Sequence, residues 1–326
     1  MENPIFILGA HKSGTSLFRS LLDNHPELYV IPFETHLFNN LGYPISYEYF
    51  KQHHNNIKVF IDNCTKHLNH INNAKDKYAD SINIDRFDIN TFIEEISKTQ
   101  GVSNANELII SYFSSVYKSD KQVEFDSSKR IVEKSVTHHE YALELAHIFP
   151  EAKFIHIIRN PYANWVALRK YKSLNNTGGP LLYRIANTFI NSYYFLYRNQ
   201  RLINNYKILK YEDLLMDSEK TMIEISNFLD IQYNENLLQP TNNGTLWKGN
   251  STSDRKFNGL HSSNINEWQK HIKAIDIYYV NKLFKHILND FNYNILSNKK
   301  GFYKKLPYEN FNKYLLNRIY KLYIKN

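Results

Sequence analysis

The sequence predicts an α/β fold. Short apolar runs alternate with longer stretches of helical spacing, and two of these runs end in polar or glycine-rich turns that open directly into helices. The 326-residue chain is long enough to bury a substantial core. A single cysteine, Cys64, rules out an internal disulfide framework.

The first element is Ile5–Leu8, a short apolar strand that enters Gly9-Ala10-His11-Lys12-Ser13-Gly14-Thr15-Ser16. A helix follows, with Leu17, Leu21 and Leu22 on one side. Strand, glycine-bounded loop and helix in this order form an anion cradle: backbone N–H groups converge and the helix N-terminus adds partial positive charge. Lys12 adds a mobile charge; Thr15 and Ser16 add hydroxyls. The loop departs from the nucleotide-binding pattern GxxxxGK[ST]: Thr15 and Ser16 follow Gly14 directly, and the lysine lies inside the loop.

Leu28–Ile31 reads as the second strand and ends at Pro32-Phe33-Glu34-Thr35-His36. Ligands in open α/β sheets sit beyond the carboxyl ends of the strands, which places Glu34 near the anion loop, where an acid can act as a general base. Residues 37 to about 129 carry no strand-rich pattern. Helical spacing over Ser46–Ile71, Asp88–Lys98 and Asn104–Lys118 predicts a helical insertion whose aromatics build core.

Arg130–Glu133 is a short strand that delivers Lys134-Ser135, and a helix from Thr137 to Phe149 follows, with Thr137 as its cap and Leu143, Ala146 and His147 facing the sheet. His138 and His139 lack a third ligand at metal spacing. Lys153–Ile158 is the strongest strand pattern, and Arg159-Asn160-Pro161 opens the next helix. An arginine at a buried strand end suits a fixed, bidentate phosphate contact. Leu181–Ile203 reads as a long helix and Tyr206–Lys210 as a strand leading to Tyr211. Ser218–Leu229 is helical, Gln239–Ser263 is a long loop carrying Lys248, Arg255 and Lys256, and a last body helix runs from Trp268 to Asp290.

Net charge is +8, unevenly placed. Residues 297–326 hold eight lysines and arginines against the single acid Glu309, which puts +7 there and leaves +1 on the first 296 residues. A body this close to neutral is not a nucleic-acid binder. The tail interleaves Phe302, Tyr303, Phe311, Tyr314, Leu315, Ile319, Leu322 and Tyr323 with its basic residues, and from Glu309 onward the spacing permits an amphipathic helix. Such a stretch can lie on an anionic bilayer or pack on the body with a solvated basic face. The reading divides the chain into an α/β body over 1–296, with its insertion at about 37–129, and an extension over 297–326. With no signal peptide or bilayer-length apolar run, a cytoplasmic location is expected, with peripheral membrane contact through the tail.

Three segments together resemble the sulfotransferases that use 3′-phosphoadenosine 5′-phosphosulfate (PAPS), in the bacterial branch similar to tyrosylprotein sulfotransferases. They are GAHKSGTSLFRSLLDNHPEL…PFET, EKSVTHHEYALELAHIFPEAKFIHIIRNPYANWVAL and WKGNSTSDRKFNGLHSSNINEWQ. The resemblance implies a P-loop-type three-layer fold, a central parallel sheet flanked by helices. It implies that Lys12, Ser13, Gly14, Thr15 and Ser16 hold the 5′-phosphosulfate and Arg159 the 3′-phosphate, with Tyr211 and Lys256 also on the donor. It implies catalytic roles for Glu34 as base, for Lys12 and Lys134 on the developing charge, and for Ser251. It implies transfer to a hydroxyl acceptor (carbohydrate, phenol or small molecule) without a metal. Ala167 stands where the family has a serine on the 3′-phosphate, and Asn164 or Lys256 would have to compensate; Val136 replaces a proline. The rival readings are a P-loop kinase or ATPase, which would need Lys after Gly14 and an acidic strand end for Mg²⁺, and a membrane- or polyanion-binding module built on the tail.

Overall fold

The computed structural model describes residues 3–38, 56–73, 87–99, 104–174, 180–249, 259–298 and 313–325. In chain order, among the described residues, β1 (Ile5–Gly9), α1 (Thr15–Leu22) and β2 (Leu28–Val30) are followed by α2 (Asn56–Asn73), α3 (Ile89–Ser97) and α4 (Ala105–Lys121). Next come β3 (Arg130–Lys134), α5 (Ala142–Ile148), β4 (Lys153–Ile158), α6 (Pro161–Leu174), α7 (Leu181–Leu202) and β5 (Tyr206–Lys210). The chain continues through α8 (Tyr211–Met216), α9 (Ser218–Leu229), a two-residue ribbon of β6 (Thr241–Asn242) and β7 (Thr245–Leu246), α10 (Ala274–Asp290) and α11 (Lys313–Lys325).

The five long strands form one parallel sheet in the order β2-β3-β1-β4-β5. Alternation along β1 sorts its side chains between two cores. Phe6 and Leu8 face one layer with Ile131 and Phe154, covered by α2 to α5. Ile5 and Ile7 face the other with Val132, Ile155 and Leu209, covered by α1 and α9. A third cluster joins α6, α7, α10 and α11 with Ile158 at the carboxyl end of β4. The insertion aromatics are core, as expected: Phe92, Tyr112 and Phe113 are fully buried, and Cys64 is buried among them.

The order of strands sets the site. The chain leaves β1 toward β2 on one side and leaves β4 toward β5 on the other, so the loops after β1 and β4 diverge at the carboxyl edge. A crevice at that switch point is where such sheets bind ligands.

Several expectations are corrected. The helix from Thr137 is instead a 3-10 turn, His138–Tyr141, followed by the short α5. Thr137 caps nothing, and its hydroxyl is buried without a partner among the described residues. The tighter turn carries His138 back beneath β3, where its Nδ1 lies 2.8 Å from Glu133 Oε2. It also resets the helix register: Ala142 and Leu145 are buried, Leu143 and Ala146 pack partly against the core, and His147 is exposed. Trp268 lies in a 3-10 turn rather than a long helix; α10 starts at Ala274, where the Lys273 N–H donates to Asp276. The loop expected over 239–263 contains the β6–β7 ribbon, turned by Asn243 and Gly244 with φ of 53° and 72°. Asn-Gly is the favoured pair for that turn.

The tail helix docks on the body. Leu316 and Tyr320 are buried, and the Tyr320 hydroxyl accepts from Trp165 Nε1 at 2.9 Å and donates to Asp276 Oδ1 at 2.6 Å. Arg169 closes this network on Asp276 Oδ2 at 3.1 Å. Among the described residues no helix is long and apolar enough to cross a membrane.

Burial drives His139 down to about 3 and His156 well below its ordinary range. Unfolding restores both to about 6.5. Below that value the unfolded chain therefore binds more protons, and stability falls with pH at about 1.4 kcal/mol per unit for each histidine. Urea midpoints should fall steadily from pH 6.5 to 5; a flat profile there would refute this.

Candidate active site

Each long strand delivers one chemical group at its carboxyl end. After β1 the loop turns with Gly9, Lys12 and Gly14 at φ of 148°, 65° and 108°, and the Ser13 N–H donates to Ala10 O at 3.1 Å. Gly14 stands at the N-cap of α1 in a left-handed conformation, so the first turn of α1, with Thr15 and Ser16, opens toward the crevice.

Three neighbours hold this loop by its backbone and its turn. Arg159, one residue past β4, donates from its guanidinium to Lys12 O at 3.1 Å. The buried Asn164 amide, in the orientation that satisfies its surroundings, donates to His11 O at 3.0 Å and Lys12 O at 2.9 Å. Tyr211, one residue past β5, packs so closely that a Cβ on Gly14 would lie 2.2 Å from its ring. The Arg159 guanidinium lies 4.5 Å over that same ring. Asn164 therefore spends its amide on the loop, which removes it as a substitute for the hydroxyl missing at Ala167. Lys12 Nζ lies 4.5 Å over Tyr171.

On the other side of β1, Lys134 closes β3 and is almost fully enclosed, with 1% of its side chain exposed. Its Nζ contacts Glu34 Oε1 at 2.5 Å, and Glu34 keeps 23% exposure. The Glu34 turn is fixed from below: Arg19 of α1, buried, donates to Pro32 O at 2.9 Å. It is fixed from the side as well, since His67 Nε2 bonds Glu34 O at 2.8 Å. His36 takes a left-handed φ of 45°, which places its Nε2 3.7 Å from Glu34 Oε2. Burial lowers His36 below its ordinary value, and Glu34 opposes that shift.

The structure thus assembles Lys12, Ser13, Gly14, Thr15, Ser16, Glu34, Lys134, Arg159 and Tyr211 on one edge of the sheet. Ser251 and Lys256 lie outside the described residues, as does Arg255. Sequence reasoning missed His11, Arg19 and the two histidines flanking Glu34. His11 sits among Glu34, Lys172, Lys134 and Lys12, and the loss of water around its ring, with those lysines, drives it down to about 4. The signal for Arg19 was available: it falls on the face of α1 that also carries apolar side chains.

Two buried donors fit an anionic ligand. Ser13 Oγ and Arg159 Nε have no hydrogen-bond partner among the described residues, and such groups are costly to leave unmet. A glycine cradle, a lysine, an arginine and a helix N-terminus around them match a polyanion such as a phosphorylated nucleotide.

The model of the sulfotransferase family matches residues 4–235. Proteins of Mycobacterium bovis (strain ATCC BAA-935 / AF2122/97) and Mycobacterium tuberculosis (strain CDC 1551 / Oshkosh), both omega-hydroxy-beta-dihydromenaquinone-9 sulfotransferases, are 31% identical to this chain over 109 residues. That match covers 30% of this chain and spans 28% of their length. Among solved structures, the sulfotransferase domain from the curacin biosynthetic pathway overlays with a TM-score of 0.57 at 16% identity, covering 91% of this chain and 99% of that one. The sulfotransferase domain from the Synechococcus PCC 7002 olefin synthase gives 0.55 at 18%, covering 91% and 98%. At these identities the likeness is one of fold.

Gly14→Ala would meet both a strained φ and the Tyr211 ring. It should cost about 1–3 kcal/mol, read as a lowered urea midpoint. An unchanged midpoint would refute the close packing of Tyr211 on the loop.

Proposed function

This chain belongs to the sulfotransferase family, and on that premise we propose that it moves the sulfuryl group of PAPS to a hydroxyl acceptor, with Glu34 as base. The observation that carries the reading is the 2.5 Å contact between Glu34 and the enclosed Lys134, held beside the glycine loop.

The donor supplies an activated sulfuryl group whose leaving group is adenosine 3′,5′-bisphosphate. The chain's own residues supply position and charge. Lys12, Ser13, Gly14, Thr15 and Ser16 hold the 5′ end through the loop and the α1 terminus. Arg159 holds the 3′-phosphate, and the Tyr211 ring 4.5 Å away holds its guanidinium against the loop. Lys134 and Lys12 meet the charge that develops on transfer. A neutral alcohol attacks poorly, so Glu34 takes its proton; its side chain keeps 23% exposure, which leaves the carboxylate accessible to a hydroxyl. Ser251 and Lys256, outside the described residues, would complete the donor site. A kinase reading is weaker: no lysine follows Gly14, and β4 is followed by Arg159 rather than an acid.

Calorimetry with adenosine 3′,5′-bisphosphate tests the donor site. The wild type should bind, and Arg159→Ala, still folded by its melting curve, should bind about 30-fold or more weakly. Glu34→Gln should bind equally well yet lose about 10²–10⁴ in kcat with PAPS and a hydroxyl acceptor. Binding of Mg·ATP in place of the bisphosphate would overturn the assignment.

The tail supports a second, accessory reading: peripheral contact with an anionic bilayer. With Leu316 and Tyr320 committed to the body, α11 presents Leu315 and Leu322, 47% and 65% exposed, together with outward Arg318 and Lys321. An apolar pair among cations suits an anionic lipid surface. The protein should co-sediment with phosphatidylserine-containing vesicles at low salt and not with pure phosphatidylcholine. Leu315→Glu combined with Leu322→Glu should abolish this, and equal sedimentation of variant and wild type would end the idea.

A further inference from the structure

The ends of β2 and β3 are joined by a buried polar cluster that none of the roles above uses. Glu133 precedes Lys134 on β3, so its side chain points to the opposite face of the sheet, toward the layer of α2 to α5. It is fully buried. Its Oε1 accepts from Thr35 Oγ1 at 2.7 Å and from Ser135 Oγ at 2.6 Å, and its Oε2 pairs with His138 Nδ1 at 2.8 Å. The hydroxyls are used twice. Ser135 Oγ accepts the His36 N–H at 3.2 Å, and Thr35 Oγ1 accepts the Leu37 N–H at 3.3 Å. The His138 ring meets the Phe38 ring edge-on at 5.4 Å. Burial alone would push the Glu133 carboxyl up, but the His138 imidazole and the three hydrogen bonds outweigh it and hold the group below the usual carboxylate range.

A carboxylate in this place is a poor way to fill space. Ile131, two residues earlier on the same face, is an ordinary core side chain, and an apolar residue at 133 would avoid the desolvation cost. What the carboxylate does that an apolar residue cannot is grip two chain segments at once. Thr35 is the neighbour of Glu34; Glu133 and Ser135 are the two neighbours of Lys134.

We propose that Glu133 is a positioning residue for the Glu34–Lys134 pair, clamping Thr35 and Ser135 so that the carboxylate and the ammonium on the opposite face are held in register. The clamp acts through the backbone on both sides of the pair and touches neither substrate. Its kinetic consequence rests on the sulfotransferase reading; its structural consequence does not.

The test has two arms. The first is a double-mutant cycle on the pair, Glu34→Gln against Lys134→Met, read as urea midpoints in the wild-type background and again in Thr35→Val. The clamp predicts that the coupling shift falls at least twofold in Thr35→Val; equal coupling in both backgrounds overturns it. Ser135→Ala repeats the cycle should Thr35→Val fold poorly. In the second arm, Glu133→Gln and Thr35→Val should lower kcat about 10–100-fold while donor KM stays within about threefold, and Thr35→Ser, which keeps the hydroxyl, should restore most of the rate. Parallel losses of kcat, donor affinity and melting temperature would assign Glu133 to bulk packing and overturn the proposal. A wild type that neither binds the bisphosphate nor transfers sulfuryl would refute the function, while the cycle still decides the clamp.

Discussion

A lysine ammonium buried at the end of a strand has to find an anion, and much of this architecture follows from that need. Lys134 is enclosed on the carboxyl edge of β3 and meets Glu34 from the end of β2. Removing Glu34 would strip the enclosed ammonium of this carboxylate, and breaking a buried pair from one side costs about 3–5 kcal/mol, more than a typical neutral hydrogen bond contributes. The contact requires β2 and β3 to be parallel neighbours in fixed register, with Leu28 opposite Arg130 and Val30 opposite Val132. Parallel neighbours cannot be joined by a tight turn. The connection that carries α2, α3 and α4 is therefore the crossover that makes the pair possible, and these helices also cover one face of the sheet.

The rest of the edge obeys the same economy. β1 contributes the glycine loop, β4 contributes Arg159 and β5 contributes Tyr211. These three are not independent: Arg159 bonds the loop at Lys12 O, and Tyr211 lies against both Gly14 and the guanidinium. Arg19 on α1 reaches across to Pro32 and so couples the helix that opens the loop to the turn that carries Glu34. The glycine loop and the turn that carries Glu34 are thereby mechanically joined through α1.

Much of this was legible in the sequence because it depends on local order. Apolar runs followed by glycine, lysine or arginine mark strand ends, and in a parallel sheet all strand ends meet on one edge. That is why Lys12, Glu34 and Arg159 stand out in the sequence itself, while Lys134 takes its role from the family resemblance. What was not legible depends on tertiary partners. The break of the expected Thr137 helix into a 3-10 turn reflects the pull of Glu133 on His138, a carboxylate and an imidazole that packing brings together. Asn164 looked free to serve a phosphate until the loop carbonyls of His11 and Lys12 took its amide. The start of α10 at Ala274 likewise reflects Asp276, which faces Lys273, Trp165, Arg169 and Tyr320 together. The Asn243-Gly244 turn was the exception: its signal was local and was subsumed in a long loop.

The network around Asp276 also sets an order of events during synthesis. Trp165, Arg169 and Asp276 are all made before Tyr320, the residue whose hydroxyl bridges the indole and the carboxylate. Until that residue is translated, the seam between α6 and α10 has a buried acid and a buried N–H that share one fewer partner. A nascent body can collapse around its sheet, but this seam closes only when the later helix arrives. A released chain that lacked residues 313–325 would stay in that incomplete state, with the surface awaiting α11 open to chaperones and proteases alike.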